Sequence, residues 1–281
     1  MKKLSKVHTK TRKNHYLHGY TTKEQARLRE QARFLEFLTH QDINFSNTKN
    51  ILEVGCGVGA QSEILLRRFP EAHLTCIDLN PHQIASAREH LKKFAHYQGR
   101  YTIKEMNACD LSLESKSFDG AFLCWVLEHI ERPEQVLNEV RRVLRSGARI
   151  YVTEVMNFSF FLEPYSPNLW KYWMAFNDYQ YEQAGDPFVG AKLGNLLTKV
   201  GFSNVHTNVR TMHYDNRWPE LRREVIEYWT KLMLSAAKQL ITAKATSKEI
   251  VSAALAELQQ VRKDPNAVFF YSFMQAHADV L

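Results

Sequence analysis

The chain has 281 residues, 44% hydrophobic and 12% aromatic, which suits one globular core with embellishments rather than a disordered chain. No apolar run approaches the roughly 18 residues of a membrane helix; the basic start MKKLSKVHTKTRKNHY lacks the apolar core and cleavage site of a secretion signal, so a cytoplasmic location is expected. The formal charge of +7 does not mark a nucleic-acid groove, because Lys2, Lys3, Lys6, Lys10, Arg12 and Lys13 all precede the first acid, Glu24, while residues 217–263 carry the mixed charge of a solvated helical face.

Residues 1–13 are therefore expected to be a disordered basic tail, and 14–47 a capping segment ahead of the core. Thr21-x-x-Glu24 has the form of a capping box, and Leu28, Gln31, Ala32, Leu35 and Leu38 follow at helical spacing, which predicts a helix over 23–39. From residue 50 strand and helix alternate: strand 50–54, helix 59–69, strand 73–77, helix 81–96, strands 101–105 and 118–124, helix 133–145 and strand 148–154. That order predicts an α/β fold with a doubly wound, mostly parallel sheet. Cys56, Cys76 and Cys124 fall in or beside these strands, and no pair has metal-ligand spacing, so reduced core thiols and no metal are expected.

Beyond the sheet, residues 156–187 are rich in aromatics, from Phe158 to Tyr181, with Pro164, Pro167, Asn168 and Asn177 interleaved. They read as an irregular lid over an apolar acceptor pocket. Only Lys171 offers a cation among those rings, which argues against stacked nucleic-acid bases. Helix 188–200 and strand 204–212 come next. Within 217–263, Leu221, Val225, Trp229, Leu232, Met233, Ala236 and Leu240 form one amphipathic stripe. Val251, Ala254, Leu255, Leu258 and Val261 form another, behind the box Thr246-x-x-Glu249. These are two helices of a cap or of an interface through which the chain pairs as a homodimer. A strand over 267–276 closes the domain, which runs from 48 to 281.

The chemistry is concentrated in Ile51-Leu-Glu-Val-Gly-Cys-Gly-Val-Gly-Ala60 and Thr75-Cys-Ile-Asp78. A strand runs into a glycine turn where the backbone can approach a ligand closely, and the next strand ends in a carboxylate suited to ribose hydroxyls. Glu53, just before the first glycine, would repel a pyrophosphate; directly or through water it suits an ammonium. The motif resembles that of the class I S-adenosylmethionine-dependent methyltransferases. The resemblance implies a seven-stranded sheet whose last strand is antiparallel, with S-adenosylmethionine as cofactor and S-adenosylhomocysteine as product. It assigns cofactor contacts to Glu53, Gly55, Cys56, Gly57, Gly59, Gln61, Asp78, Leu79 and Gln83, to Asn107 and Ala108 at the adenine, and to Cys124 through its backbone. Asn107 is equally suited to be a simple turn residue.

His15-Tyr-Leu-His-Gly-Tyr20, with Glu24, Arg27 and Gln31, is similar to the leader of a bacterial subgroup of small-molecule methyltransferases that folds over the cofactor. Tyr20 is the candidate to meet the sulfonium, unless Tyr16 and Tyr20 merely anchor the helix. Glu154, at the end of a strand, faces either an acceptor or loop amides. His129 is a candidate to line the site, although Glu128 and His129, about 100° apart on a helix, do not pair by spacing alone. The expected activity is methyl transfer by in-line displacement to a small acceptor, partly apolar or aromatic, with Glu154, His129 and Tyr20 as catalytic candidates. A macromolecular acceptor (RNA, protein or acyl carrier protein) and a non-catalytic cofactor-binding protein stand as alternatives.

Overall fold

The computed structural model describes residues 16–281, so the expected basic tail lies outside it. The chain opens with α1 (Thr22–His40), continues through β1 (Asn50–Val54), α2 (Ala60–Arg68), β2 (His73–Asp78), α3 (Pro81–Lys92) and β3 (Tyr101–Glu105), and then β4 (Phe118–Cys124), α4 (Pro133–Val143) and β5 (Leu144–Val155). The second half holds β6 (Phe161–Glu163), α5 (Pro167–Glu182), α6 (Leu193–Val200), β7 (Ser203–Tyr214), α7 (Pro219–Thr242), α8 (Lys248–Lys263) and β8 (Val268–Asp279).

Parallel pairing runs β3-β2-β1-β4-β5, and β8 inserts antiparallel between β5 and β7, giving the expected seven-stranded sheet. One short strand was not anticipated. β6 pairs the first residues of β8 on the side that β5 occupies further along, through Phe161 and Phe270. Strand order reverses at β1, where β2 and β4 flank it, so a crevice opens at the carboxyl ends of these strands.

Of the apolar bodies that hold the fold, two frame the site. One packs the sheet against its helices, with Leu52, Ile77, Leu123, Val136, Val140, Ile150 and Leu197 at its centre. The other lies above the strand ends and is largely aromatic, joining Phe160, Tyr172, Trp173, Phe176, Trp229 and Phe269. α5 is a correction to the expected irregular lid. Pro167 stands in its first turn, and Leu169, Tyr172, Trp173, Phe176, Asn177 and Gln180 are buried at intervals of three and four. Rings on the outer face, such as Tyr181 at 63% exposure, hide that period from a reading of the sequence.

α7 and α8 also form, and both stripes are spent inside the chain: Val225, Trp229, Met233, Ala236 and Leu240 are buried on α7, and Ala254, Leu258 and Val261 on α8. Most of the apolar stripe that suggested a homodimer is thus covered by the chain itself, while Leu221 at its start is 37% exposed. The cap of α8 is one residue later than expected, at Ser247, whose hydroxyl accepts from the Ile250 amide. At α1, Thr21 accepts from the Glu24 amide, but the Glu24 carboxylate turns to Arg27 instead of closing the box. Among the described residues no helix is long and apolar enough to cross a membrane.

Candidate active site

A cavity of about 320 Å³ runs from the carboxyl ends of β1, β2 and β4 to the aromatic body, under a roof made by residues 16–20 and α1. At one end the glycine turn supplies the floor. Gly55 has φ +69°, and a Cβ there would fall 2.6 Å from Val126 Cγ2, so the turn closes only without a side chain. Gly57 has φ +51°, and a Cβ would meet nothing within 4 Å, which leaves its backbone open toward the cavity. Gly59 does not line the cavity; it caps α2 and lies against Ala87 of α3, where a Cβ would come to 3.2 Å.

Asp78 sits beside this turn, half-buried, with Oδ2 accepting from the Gly57 amide and Oδ1 from the Asn80 amide, each at 2.9 Å. Burial raises its pKa, against the pull of those amides. Each oxygen retains acceptor capacity for a ribose hydroxyl. Leu79, 61% exposed, lines the cavity together with Met106, Asn107 and Ala108. Asn107 does hold a turn, since its Oδ1 accepts from the Cys109 amide at 2.9 Å. Cys56, Gln83 and Cys124 line the cavity as well, and Gln83 accepts from Gln25 at 3.3 Å. Gln61 Nε2 donates to Cys124 Sγ at 3.7 Å, and Gln61 Oε1 is buried without a partner among the described residues.

Two carboxylates do not stand where the sequence suggested. Glu53 lies beneath the turn, 2% exposed, and takes a 2.5 Å hydrogen bond from Ser62. Burial pushes its pKa up to about 7, and it does not line the cavity. Glu154 is fully buried and accepts from the Val126, Leu127 and Glu128 amides at 2.9, 2.6 and 3.3 Å. It fixes the turn after β4 rather than facing an acceptor, so its placement among the catalytic candidates is corrected. Burial and the charge of Glu128 raise its pKa, and the three amides oppose that rise.

His129 and Tyr20 both line the cavity. Leu127–His129 is a 3₁₀ turn, not an α-helix, and there Glu128 Oε1 comes within 3.7 Å of His129 Nε2, closer than the helical spacing allowed. Tyr20 stacks on Tyr16 with centroids 5.4 Å apart; burial and the nearby Asp78 charge raise its pKa, and a hydrogen bond with Asn80 opposes that rise. Tyr16 is the tyrosine against His129, edge-on at 5.0 Å, and like Tyr20 it lines the cavity. Arg27, Glu128, Trp173, Trp229 and Tyr271 complete the far chamber; the leader and the aromatic lid pointed to Arg27 and Trp173, but no spacing announced that Trp229 and Tyr271, from separate elements, join them. Arg27 is paired in the roof with Glu24 at 2.6 and 2.8 Å and donates to Gln31 at 2.6 Å.

Residues 52–152 match a family model described as a methyltransferase domain. An O-methyltransferase, rstn1, of Aspergillus nomiae is 32% identical over 43% of this chain and 50% of its own length. The O-methyltransferase resE of Aspergillus sclerotiorum is 28% identical over 74% of this chain and 75% of its own. The chain thus spans half the length of the first relative and three quarters of the second. Phosphoethanolamine N-methyltransferase 2 of Haemonchus contortus, solved with phosphomonomethylethanolamine and S-adenosylhomocysteine, superposes with a TM-score of 0.54 at 19% identity, covering 88% of this chain and 52% of that one. At that identity the likeness is one of fold. Sheet order, glycine turn and matched segment agree on a methyltransferase domain over residues 52–152, similar to those of the class I S-adenosylmethionine-dependent enzymes.

Proposed function

We propose that this chain transfers a methyl group from S-adenosylmethionine to a small, partly apolar or aromatic acceptor by in-line displacement. The observation that carries this reading is one continuous cavity with two unlike ends, a glycine turn with Asp78 at one and buried aromatic rings at the other. The residues present fit the cofactor: Asp78 is set for the ribose hydroxyls, the open Gly57 backbone for close approach, and the partnerless Gln61 Oε1 for an ammonium. When bound, the cofactor supplies an electrophilic sulfonium methyl. The chain's own work is to align and to exclude water: Tyr16 and Tyr20 roof the junction, while Trp173, Phe176 and Trp229 form apolar walls. The roof favours an acceptor small enough to fit beneath it over a macromolecule docked from outside.

Incubation with methyl-labelled S-adenosylmethionine and a cell extract split into small-molecule, protein and RNA fractions tests the reading. Label in the small fraction is expected; label confined to protein or RNA would overturn the acceptor class, and failure to bind the cofactor by calorimetry would overturn the activity.

A further inference from the structure

α7 carries a hydrogen-bond chain into the chamber. Ser235 Oγ lies 2.6 Å from the Leu232 carbonyl and 2.5 Å from Nδ1 of His18, a residue of the roof. A serine hydroxyl has one proton, and two oxygens at 2.6 Å repel unless that proton lies between them, so Ser235 donates to Leu232 and accepts from His18. His18 therefore carries its ring hydrogen on Nδ1. A neutral imidazole has only one, and Nε2 is left bare. The ring lines the cavity, 5.3 Å from Tyr16 and 5.7 Å from Phe176. Burial, then the neighbouring Arg27 and His129, hold its pKa well below the usual histidine value, so it stays neutral. Also on α7, Trp229 lines the same cavity, and its indole N–H is buried without a partner among the described residues.

We propose that His18 is the catalytic base, its bare Nε2 receiving the proton of an acceptor hydroxyl, and that the acceptor is an alcohol or phenol with a second oxygen for the Trp229 N–H. The proposal rests on the methyl-transfer reading and names its acceptor atom. The O–H bond gives way to an O–CH₃ bond, the S–CH₃ bond breaks with its electron pair staying on sulfur, and the proton passes to Nε2. One positive charge moves from sulfonium to imidazolium, so the chamber's net charge is unchanged. Ser235 is a positioning residue, acting through the tautomer it imposes.

Nitrogen-15 NMR of histidine-labelled protein in complex with S-adenosylhomocysteine tests this, with His18→Gln assigning the resonances. Protonated Nδ1 and unprotonated Nε2 are expected, with the preference relaxed in Ser235→Ala. Phenol added as a hydroxyl probe should shift Nε2. A proton on Nε2, or an Nε2 resonance unmoved at saturating phenol, overturns the proposal. With any acceptor that the wild type labels, His18→Gln should lower kcat about 100-fold with cofactor affinity kept, and an unchanged kcat also overturns it. Calorimetry of S-adenosylmethionine binding separates the two readings, since loss of binding in the wild type would sink methyl transfer, whereas the tautomer is read without turnover.

Discussion

The two ends of the cavity are built by different means. The cofactor end draws on strands β1, β2 and β4 and the turns that follow them, paired in register, so a few local residues place Gly57, Asp78 and Leu79. The acceptor end collects His18 from the roof, Trp173 from α5, Trp229 from α7 and Tyr271 from β8, elements that meet only once the cap has packed. A site of the first kind survives change elsewhere in the chain. A site of the second kind is reshaped by any change in the cap.

Breaking the cap should test that independence most strongly. Trp229 is 2% exposed and stacks on Phe160 at 5.1 Å; Trp229→Ala should cost about 3–5 kcal/mol in denaturant unfolding, yet leave S-adenosylmethionine affinity nearly unchanged wherever the variant is folded. Joint loss of stability and affinity would show that the two ends are one unit. At the sheet end, Glu53 binds its proton more tightly folded, with a pKa of about 7, than unfolded. Its contribution is full below the unfolded value of about 4.5 and fades as pH rises through 7, on the order of 3 kcal/mol. Glu53→Gln should flatten the stability profile between pH 5 and 8; parallel profiles for the two proteins would mean that this carboxyl titrates normally. Asp78→Ala should weaken cofactor binding by about 1–3 kcal/mol with little change in melting temperature, and an unchanged dissociation constant would remove the ribose from this site. Thr21→Ala, which uncaps α1 in the roof, should cost about 1 kcal/mol, read as a small drop in the unfolding midpoint.

What was legible in the sequence follows the same division. The glycine turn, Asp78 and the alternating strands are local patterns, and the sheet forms where they point. Glu53 was misplaced, and Glu154 was left between an acceptor and loop amides, because a carboxylate at a strand end looks alike whether it faces the crevice or is buried; Ser62 holds the first, and the amides after β4 hold the second. α5 was missed because aromatic rings occupy both its buried and its outer face, which blurs a period of 3.6. The hydrogen bond between His18 and Ser235 links positions far apart in the chain, and no local spacing announces it.

The insertion of β8 between β5 and β7 also sets the order of assembly. Until Val268–Asp279 arrives, the edge of β5 with Ile150 and Val152 has no strand on its outer side, and β7 has no neighbour at all. An unpaired, apolar strand edge is a template for association with other chains. α7 and α8 lie between β7 and β8, so both must be synthesised before the gap can close, and pairings of such long range form slowly. The nascent chain thus presents an open edge until β8 pairs, and lowering the temperature or the rate of initiation during production, so that fewer open chains meet, should recover more of the folded protein.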